Sequence, residues 1–135
     1  MAINFFIPGV PVAKGRPRMT KTGHTYTPKK TEEYEELVKL SYATACGNLI
    51  TDKPVAVNIL FRMPIPKSCS KKQVTEMEAN LQKPAKRPDI DNLIKAVLDG
   101  LNGVAYFDDK QVVAISAAKV YGAVSGTKVS IDELN

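Results

Sequence analysis

The chain has 135 residues, of which 44% are hydrophobic and 24% charged, and its formal net charge is +5. These values are typical of a soluble globular protein and give enough chain for one hydrophobic core. No apolar run approaches the roughly 20 residues that a membrane-spanning helix needs, which excludes a helical membrane protein. We therefore expect a single domain over residues 1–135 and no membrane partner.

The first half of the chain predicts a strand, an irregular segment, a helix and a second strand. Residues 3–9 predict a short strand that is stopped by Pro8 and Gly9, and residues 10–28 predict a loop or loose hairpin. Pro28 suits the first position of a helix, whose early glutamates complement the helix dipole. The expected apolar face of this helix comprises Tyr34, Leu37, Val38, Tyr42, Ala45 and Leu49. Alternation from Val55 to Phe61 then predicts a strand with one buried face.

The second half predicts two helices and two closing strands. A capping box at Ser70 begins a short helix with Val74, Met77 and Leu81 at helical spacing, and a cationic linker follows at residues 83–88. A helix is predicted over residues 90–102, before two strands joined by a turn at residues 122–126. The order β-α-β-α-α-β-β predicts an α+β fold with a small mixed sheet packed against helices.

The charge is unevenly distributed. All six charged side chains of residues 1–30 are basic, namely Lys14, Arg16, Arg18, Lys21, Lys29 and Lys30. A basic arm favours a polyanionic partner, although such surfaces also serve solubility alone. Cys46 and Cys69, in a chain without a signal-peptide pattern, predict free thiols and a cytoplasmic location.

Acidic residues gather in the stretch "RPDIDNLIKAVLDGLNGVAYFDDKQV", residues 87–112. It contains Asp89, Asp91, Asp99, Asp108 and Asp109. Each has an ordinary explanation: Asp89 as a helix N-cap, Asp91 as the ion-pair partner of Lys95, and the adjacent pair as a turn. These separate explanations do not account for the occurrence of all these residues together, because Asp91 and Lys95 border the apolar stripe of the helix and so lie against the rest of the domain.

A hard divalent cation would explain this grouping. Mg²⁺ takes oxygen ligands and is typically held by a few carboxylates together with phosphate oxygens. Asp89 and Asp91 at the helix start, together with one carboxylate of the Asp108–Asp109 pair, would be enough protein ligands for such an ion. A nearby lysine suits phosphodiester hydrolysis, because it can orient the attacking water or stabilise transition-state charge. The pattern therefore favours a metal-dependent nuclease or a phosphotransfer site.

The same stretch closely resembles the signature of the RusA family of Holliday junction resolvases, and the upstream "PGVPVAKGRPR" is similar to the N-terminal segment of some members. The resemblance implies a RusA-like fold and a homodimer that binds four-way DNA junctions in recombination and repair. It also implies Mg²⁺ as cofactor, with Mn²⁺ as a substitute, and no small-molecule cofactor. Paired symmetric nicks would leave 5′-phosphate and 3′-hydroxyl ends.

Residue by residue, the resemblance assigns catalysis to Asp89, Asp91, Lys95 and Asp109, with the three aspartates as metal ligands. Asn92 and Asp108 match auxiliary positions of the signature. Pro88 departs from members that carry a basic residue before the first aspartate, and Arg87 is the nearest substitute. The DNA phosphates would then contact Lys14, Arg16, Arg18, Lys21, Lys83, Lys86 and Arg87.

Three other readings remain open at the level of the sequence. One is a nuclease of similar chemistry but broader preference, acting on forks, flaps or plain duplex. Another is a junction-binding protein without turnover, which predicts binding without nicks in any divalent metal. The third is a basic interaction module that does not bind junctions.

Overall fold

The computed structural model describes residues 2–135, so the first residue of the predicted domain lies outside the description. Two layers are present, a four-stranded sheet and the helices that pack on one of its faces, which confirms the predicted α+β class. The strands are β1 (Ala2–Pro8), β2 (Arg18–Met19), β3 (Thr25–Tyr26), β4 (Val55–Pro64), β5 (Val112–Gly122) and β6 (Gly126–Glu133). The helices are α1 (Lys29–Cys46), α2 (Lys71–Glu78) and α3 (Ile90–Leu101), and a 3₁₀ turn covers Asp109–Gln111.

The sheet has the strand order β1-β6-β4-β5. β4 and β5 are parallel, and the chain between them passes through α2 and α3, as a parallel crossover requires. β6 lies antiparallel between β1 and β4. The two closing strands are therefore not paired with each other; both pair with β4, whose residues Val55, Val57, Ile59, Phe61 and Met63 are buried.

Helix α1 covers the core face of the sheet and packs against α3. Its buried residues recur at helical spacing at Thr31, Tyr34, Val38 and Tyr42. The contact with α3 is close because residue 100 is glycine: a Cβ atom there would lie 2.8 Å from the Cβ of Val38.

The boundaries of α1 and α2 differ from the predicted ones by a few residues. Pro28 is the N-cap of α1 rather than its first helical residue. Leu49 and Leu81 lie beyond the ends of their helices and are 49% and 75% exposed, because Gly47 and Asn80 adopt positive φ angles and turn the chain. The capping box at Ser70 is confirmed, with Gln73 N 3.2 Å from Ser70 Oγ.

Two further sequence predictions can be compared with the structure. The irregular arm contains the antiparallel pair β2–β3, a short hairpin. Cys46 and Cys69 are both free thiols. Within residues 2–135, none of the helices is both long enough and apolar enough to cross a membrane.

Candidate active site

The start of α3 presents two carboxylates that local contacts leave largely uncommitted. Asp89 occupies the N-cap position, but its side chain makes no capping hydrogen bond. Asp91 follows in the first turn, where its Oδ1 accepts a hydrogen bond of 3.0 Å from the main-chain N–H of Asn92. Among the described residues, neither aspartate is in an ion pair, and Lys95 has none either. Capping and the i,i+4 ion pair therefore do not explain these residues.

Asp89 lies in a cleft of about 440 Å³. Asn92 from the first turn of α3 lines the same cleft, and so do two arginines, Arg16 and Arg87. An arginine fork matches the geometry of a phosphate group. The cleft thus combines an acidic helix start with two cations that suit a phosphate ester.

Main-chain hydrogen bonds place the N-terminal arm beside α3. The N–H of Lys14 donates to the carbonyl of Asn92 at 2.9 Å, and the N–H of Gly15 donates to the buried Thr31 Oγ1 at 3.0 Å. Gly15 is required here because a Cβ atom would lie 2.9 Å from the ring of Pro28. These contacts hold the arm between α1 and α3 and bring Arg16 to the cleft.

Lys14 itself is used inside the protein. Its Nζ lies 2.6 Å from Glu35 Oε2 on α1 and 3.1 Å from Asp99 Oδ2 on α3, and its side chain is only 16% exposed. Partial burial opposes the charged form, but the hydrogen bonds and charges of Glu35 and Asp99 together raise the pKa of Lys14. This placement does not support the predicted contact between Lys14 and DNA.

The loop after α3 holds the adjacent pair Asp108 and Asp109. Asp108 caps the 3₁₀ turn, with its Oδ1 3.4 Å from the N–H of Lys110. Gln111 completes a capping box: its Oε1 accepts from the N–H groups of Phe107 at 2.8 Å and of Asp108 at 3.0 Å. Its Nε2 donates to the carbonyls of Thr51 and Lys53, both at 2.9 Å. Gln111 thus ties the aspartate loop to the chain that precedes β4.

Electrostatics link Asp109 to α3. Interaction between the two adjacent carboxyl groups raises the pKa of Asp109 and lowers that of Asp108, and the charge of Asp99 also raises the pKa of Asp109. The ammonium group of Lys95 opposes this rise. Burial raises the pKa of Tyr106, and the charges of Asp109 and Asp99 add to the effect. Whether Asp109 and Lys95 belong to one site stays a prediction.

The other predicted DNA contacts are spread over the surface. Arg18 lies in β2 and Lys21 in the turn that follows it, and both are exposed. Lys83, Lys86 and Arg87 lie exposed in the linker before α3. The linker is held to β5 by Lys119, whose Nζ donates to the carbonyls of Lys86 at 2.8 Å and of Pro88 at 2.9 Å.

The structure does not bring the three predicted metal ligands into one cleft. Asp89 lines it together with the auxiliary residue Asn92, whereas Asp91 and Asp109 do not line it. Across residues 2–135, no three His, Cys, Asp or Glu side chains are grouped closely enough to hold a metal ion. The donor chemistry nevertheless suits a hard cation, because the side chain of Asp89 makes no capping hydrogen bond and all candidate ligands are carboxylate oxygens.

Sequence reasoning missed the residues that position this site. Asp99 has no role in the sequence-based hypothesis, yet it pairs with Lys14 and acts on the pKa of Asp109. Glu35 and Lys119 were missed because their partners lie on distant segments. Gln111 carried one visible signal, its position three residues after Asp108, which is the spacing of a capping box.

This fold and this site define a small α+β protein with an acidic helix start inside a basic surface. The model of the family Endodeoxyribonuclease RusA matches residues 8–132, and the chain belongs to this family. A protein of Bacillus subtilis (strain 168), described as Uncharacterized protein YqaN, is 36% identical over 138 residues, covering 98% of this chain and 97% of the relative. Membership in the family implies endodeoxyribonuclease activity, that is, hydrolysis of phosphodiester bonds within DNA.

Proposed function

We propose that the protein is a Mg²⁺-dependent endonuclease that resolves four-way DNA junctions in the cytoplasm during recombination and repair. The observation that carries the proposal is the cleft at the start of α3, which is lined by Asp89, Asn92, Arg16 and Arg87. Family membership supports the nuclease chemistry, and the basic arm and linker support a DNA substrate.

The proposed metal ligands are Asp89, Asp91 and Asp109. A bound Mg²⁺ would supply positive charge and an activated water at the scissile phosphate. Two of these carboxylates come from the start of one helix and the third from the loop that Gln111 holds. In this proposal, Asp108 supports the loop through its cap of the 3₁₀ turn rather than through the metal.

The protein's own side chains carry the remaining roles. Arg16 and Arg87 would hold the phosphate by paired hydrogen bonds, and Asn92 would donate to a phosphate oxygen. Lys95, which is exposed on α3, would stabilise the charge that develops on the phosphorane-like transition state. Water oxygen bonds to phosphorus, the bond to the 3′ oxygen breaks, and that oxygen takes up a proton, leaving 5′-phosphate and 3′-hydroxyl ends.

We further propose that a homodimer acts, because resolution needs two cuts related by two-fold symmetry and each chain supplies one candidate site. A dimer would place one such site at each of two junction strands that are related by two-fold symmetry. Analytical ultracentrifugation of the free protein tests this directly: sedimentation as a dimer at micromolar concentration is expected, and a monomer that stays monomeric on a junction would contradict it.

The test of function is cleavage of a synthetic four-way junction, with each strand labelled in turn and the products mapped on denaturing gels. Paired symmetric nicks are expected in Mg²⁺ and none in EDTA. Asp91→Asn should reduce cleavage by about a hundredfold or more while leaving binding largely intact, because several kcal/mol of transition-state stabilisation are lost. Asp132→Asn, a β6 position on the open face of the sheet, is the matched control and should cut at the normal rate.

Two results would count against the proposal. Normal cutting by Asp91→Asn would show that the assigned site is wrong. Equal cutting of forks, flaps and plain duplex would replace junction resolution by a nuclease of broader preference, and binding without nicks in Mg²⁺ or Mn²⁺ would indicate a non-catalytic junction binder.

A further inference from the structure

A second cavity, of about 520 Å³, adjoins the cleft of the candidate site. The two share Ala13, Arg87 and Pro88 in their walls, so they form one continuous surface. Its size falls within the roughly 300–1,000 Å³ that is usual for sites of small organic groups. We call this second cavity the proline groove, because five of the chain's nine prolines line it: Pro11, Pro64, Pro66, Pro84 and Pro88.

The walls of the proline groove are apolar and held in place. Prolines have a fixed φ and no main-chain N–H, so they give rigid surfaces with few hydrogen-bond donors. Met63 and Tyr121, which are neighbours in the pairing of β4 with β5, add a thioether and an aromatic ring. Lys119 fixes the linker wall through its hydrogen bonds to Lys86 and Pro88. A flat apolar ligand would enter a preformed site.

The charged residues that line the proline groove are all cationic. Lys30 comes from α1, and Lys86 and Arg87 come from the linker. A second copy of this chain has a formal net charge of +5 and would be repelled by these cations, whereas a ligand that carries phosphate would be attracted to them. Apolar walls with cations among them match a nucleotide, whose base is flat and whose phosphates are anionic.

We propose that the proline groove binds an unstacked DNA nucleotide next to the scissile phosphate, with its base against the proline walls and its phosphates at Lys30 and Arg87. The inference rests on the proposed function, since it makes the groove a subsite of the same DNA. Extruding a nucleotide from a duplex costs a few kcal/mol and costs least where base stacking is already interrupted. The groove would therefore favour the crossover of a junction over continuous duplex.

Photocrosslinking tests the groove without requiring cleavage. The probes are a single-stranded oligothymidylate and a four-way junction, each carrying one 5-iodo-2′-deoxyuridine, placed in the junction at the crossover. After irradiation with the wild-type protein, the crosslinked peptide is identified by mass spectrometry. We expect it to contain Tyr121 or Met63, and a crosslink confined to peptides outside the groove would overturn the proposal.

A charge-introducing variant provides the second arm. Val10 is 53% exposed and lines the groove, so Val10→Glu should repel the phosphates of the bound nucleotide and lower the crosslink yield about tenfold. Leu40→Glu, on an exposed α1 position that does not line the groove, is the matched control and should crosslink normally. An unchanged yield in Val10→Glu would overturn the proposal, as would a change in its oligomeric state, which would show that a second copy occupies the groove.

A charge-matched pair tests the phosphate contact. Lys30→Gln should weaken binding of the single strand and reduce the slope of log K against log salt by about 0.7. Lys29→Gln, its exposed neighbour on α1 that does not line the groove, should leave the slope unchanged. Junction cleavage with a crosslink outside the groove refutes only this inference, whereas a groove crosslink without junction cleavage refutes only the proposed nuclease activity.

Discussion

The ammonium group of Lys119 on β5 lies 2.9 Å from the carbonyl oxygen of Pro88, the residue directly before Asp89. A second hydrogen bond from the same group reaches the carbonyl of Lys86 at 2.8 Å. One side chain of the sheet thereby fixes the linker that leads into α3. Because Asp89 begins where this linker ends, Lys119 sets the position of the first proposed ligand without taking part in the chemistry.

Lys119→Met should slow junction cleavage by about tenfold to a hundredfold in kcat, since a displacement of about 1 Å in a reacting group has an effect of this size. The methionine keeps the apolar stem but loses both hydrogen bonds, and the free energy of unfolding should fall by about 1–2 kcal/mol. Lys119→Arg keeps donors and should recover much of the rate. A variant that loses stability but keeps kcat would show that Lys119 is structural only.

Gln111 offers a test with two opposite substitutions. Gln111→Ala removes all four hydrogen bonds of the Gln111 side chain, whereas Gln111→Glu keeps the acceptor for the N–H groups of Phe107 and Asp108. Amide hydrogen exchange should therefore speed up at both N–H groups in the alanine variant, by about tenfold for each 1.4 kcal/mol lost.

The glutamate variant should keep protection at these amides but still lose stability, because a carboxylate would face the carbonyls of Thr51 and Lys53. A loss of about 1–3 kcal/mol is expected for an unsatisfied group of this kind. Equal exchange rates in the wild type and the alanine variant would show that Gln111 does not order the loop.

Local periodicity allowed much of the fold to be predicted from the sequence. The alternation from Val55 to Phe61, the apolar stripe of α3 and the capping box at Ser70 all correspond to observed elements. Each signal is contained within a dozen residues, so no knowledge of distant partners is needed. The clustering of acids around α3 is local in the same sense, and from it the sequence predicts a site at the start of that helix.

What could not be predicted depends on partners far apart in the sequence. β6 enters the sheet between β1 and β4, and only the completed sheet determines that order. Lys14 looked like a free cation of the basic arm, but the folded chain brings Glu35 and Asp99 to it from two different helices. Charge counts along the chain cannot distinguish a cation that meets solvent from one that meets two carboxylates.

Gly100 is another residue whose role depends on a partner that is distant in the sequence, and it leads to a prediction about stability. On helix propensity alone, Gly100→Ala should gain about 1 kcal/mol. In the structure a Cβ atom at residue 100 would lie 2.8 Å from Val38 Cβ and 3.3 Å from the carbonyl of Glu35, so α1 and α3 would have to separate. We expect a net loss of about 1–3 kcal/mol by urea unfolding.

A double-mutant cycle isolates this contact. Val38→Ala makes room for the new methyl group, so Gly100→Ala should be less destabilising in that background than in the wild type, with an interaction energy of about 0.5–3 kcal/mol. Additive losses in the double variant would show that Gly100 does not determine how closely α1 approaches α3.

The pH dependence of stability tests the ion pairs of Lys14. The pKa of Lys14 in the folded protein is raised above its ordinary value of 10.5, through the hydrogen bonds and charges of Glu35 and Asp99 and against the effect of partial burial. A raised folded-state pKa means that the stabilisation is complete below pH 10.5 and disappears as the pH rises through the folded value. Lys14→Met should therefore lose about 1–3 kcal/mol at neutral pH, because two carboxylates lose a shared partner.

The gap in unfolding free energy between wild type and Lys14→Met should stay constant up to about pH 10.5, the ordinary pKa of a lysine, and should narrow as the pH rises above that value. Lys29→Met is the matched control: its exposed pair with Glu33 spans 3.9 Å, so it should cost less than about 1 kcal/mol. Urea unfolding of the three proteins at matched pH values gives both gaps directly. A Lys14→Met gap that is no larger than that of Lys29→Met, or that does not narrow above pH 10.5, would mean that Glu35 and Asp99 do not stabilise the Lys14 ammonium group.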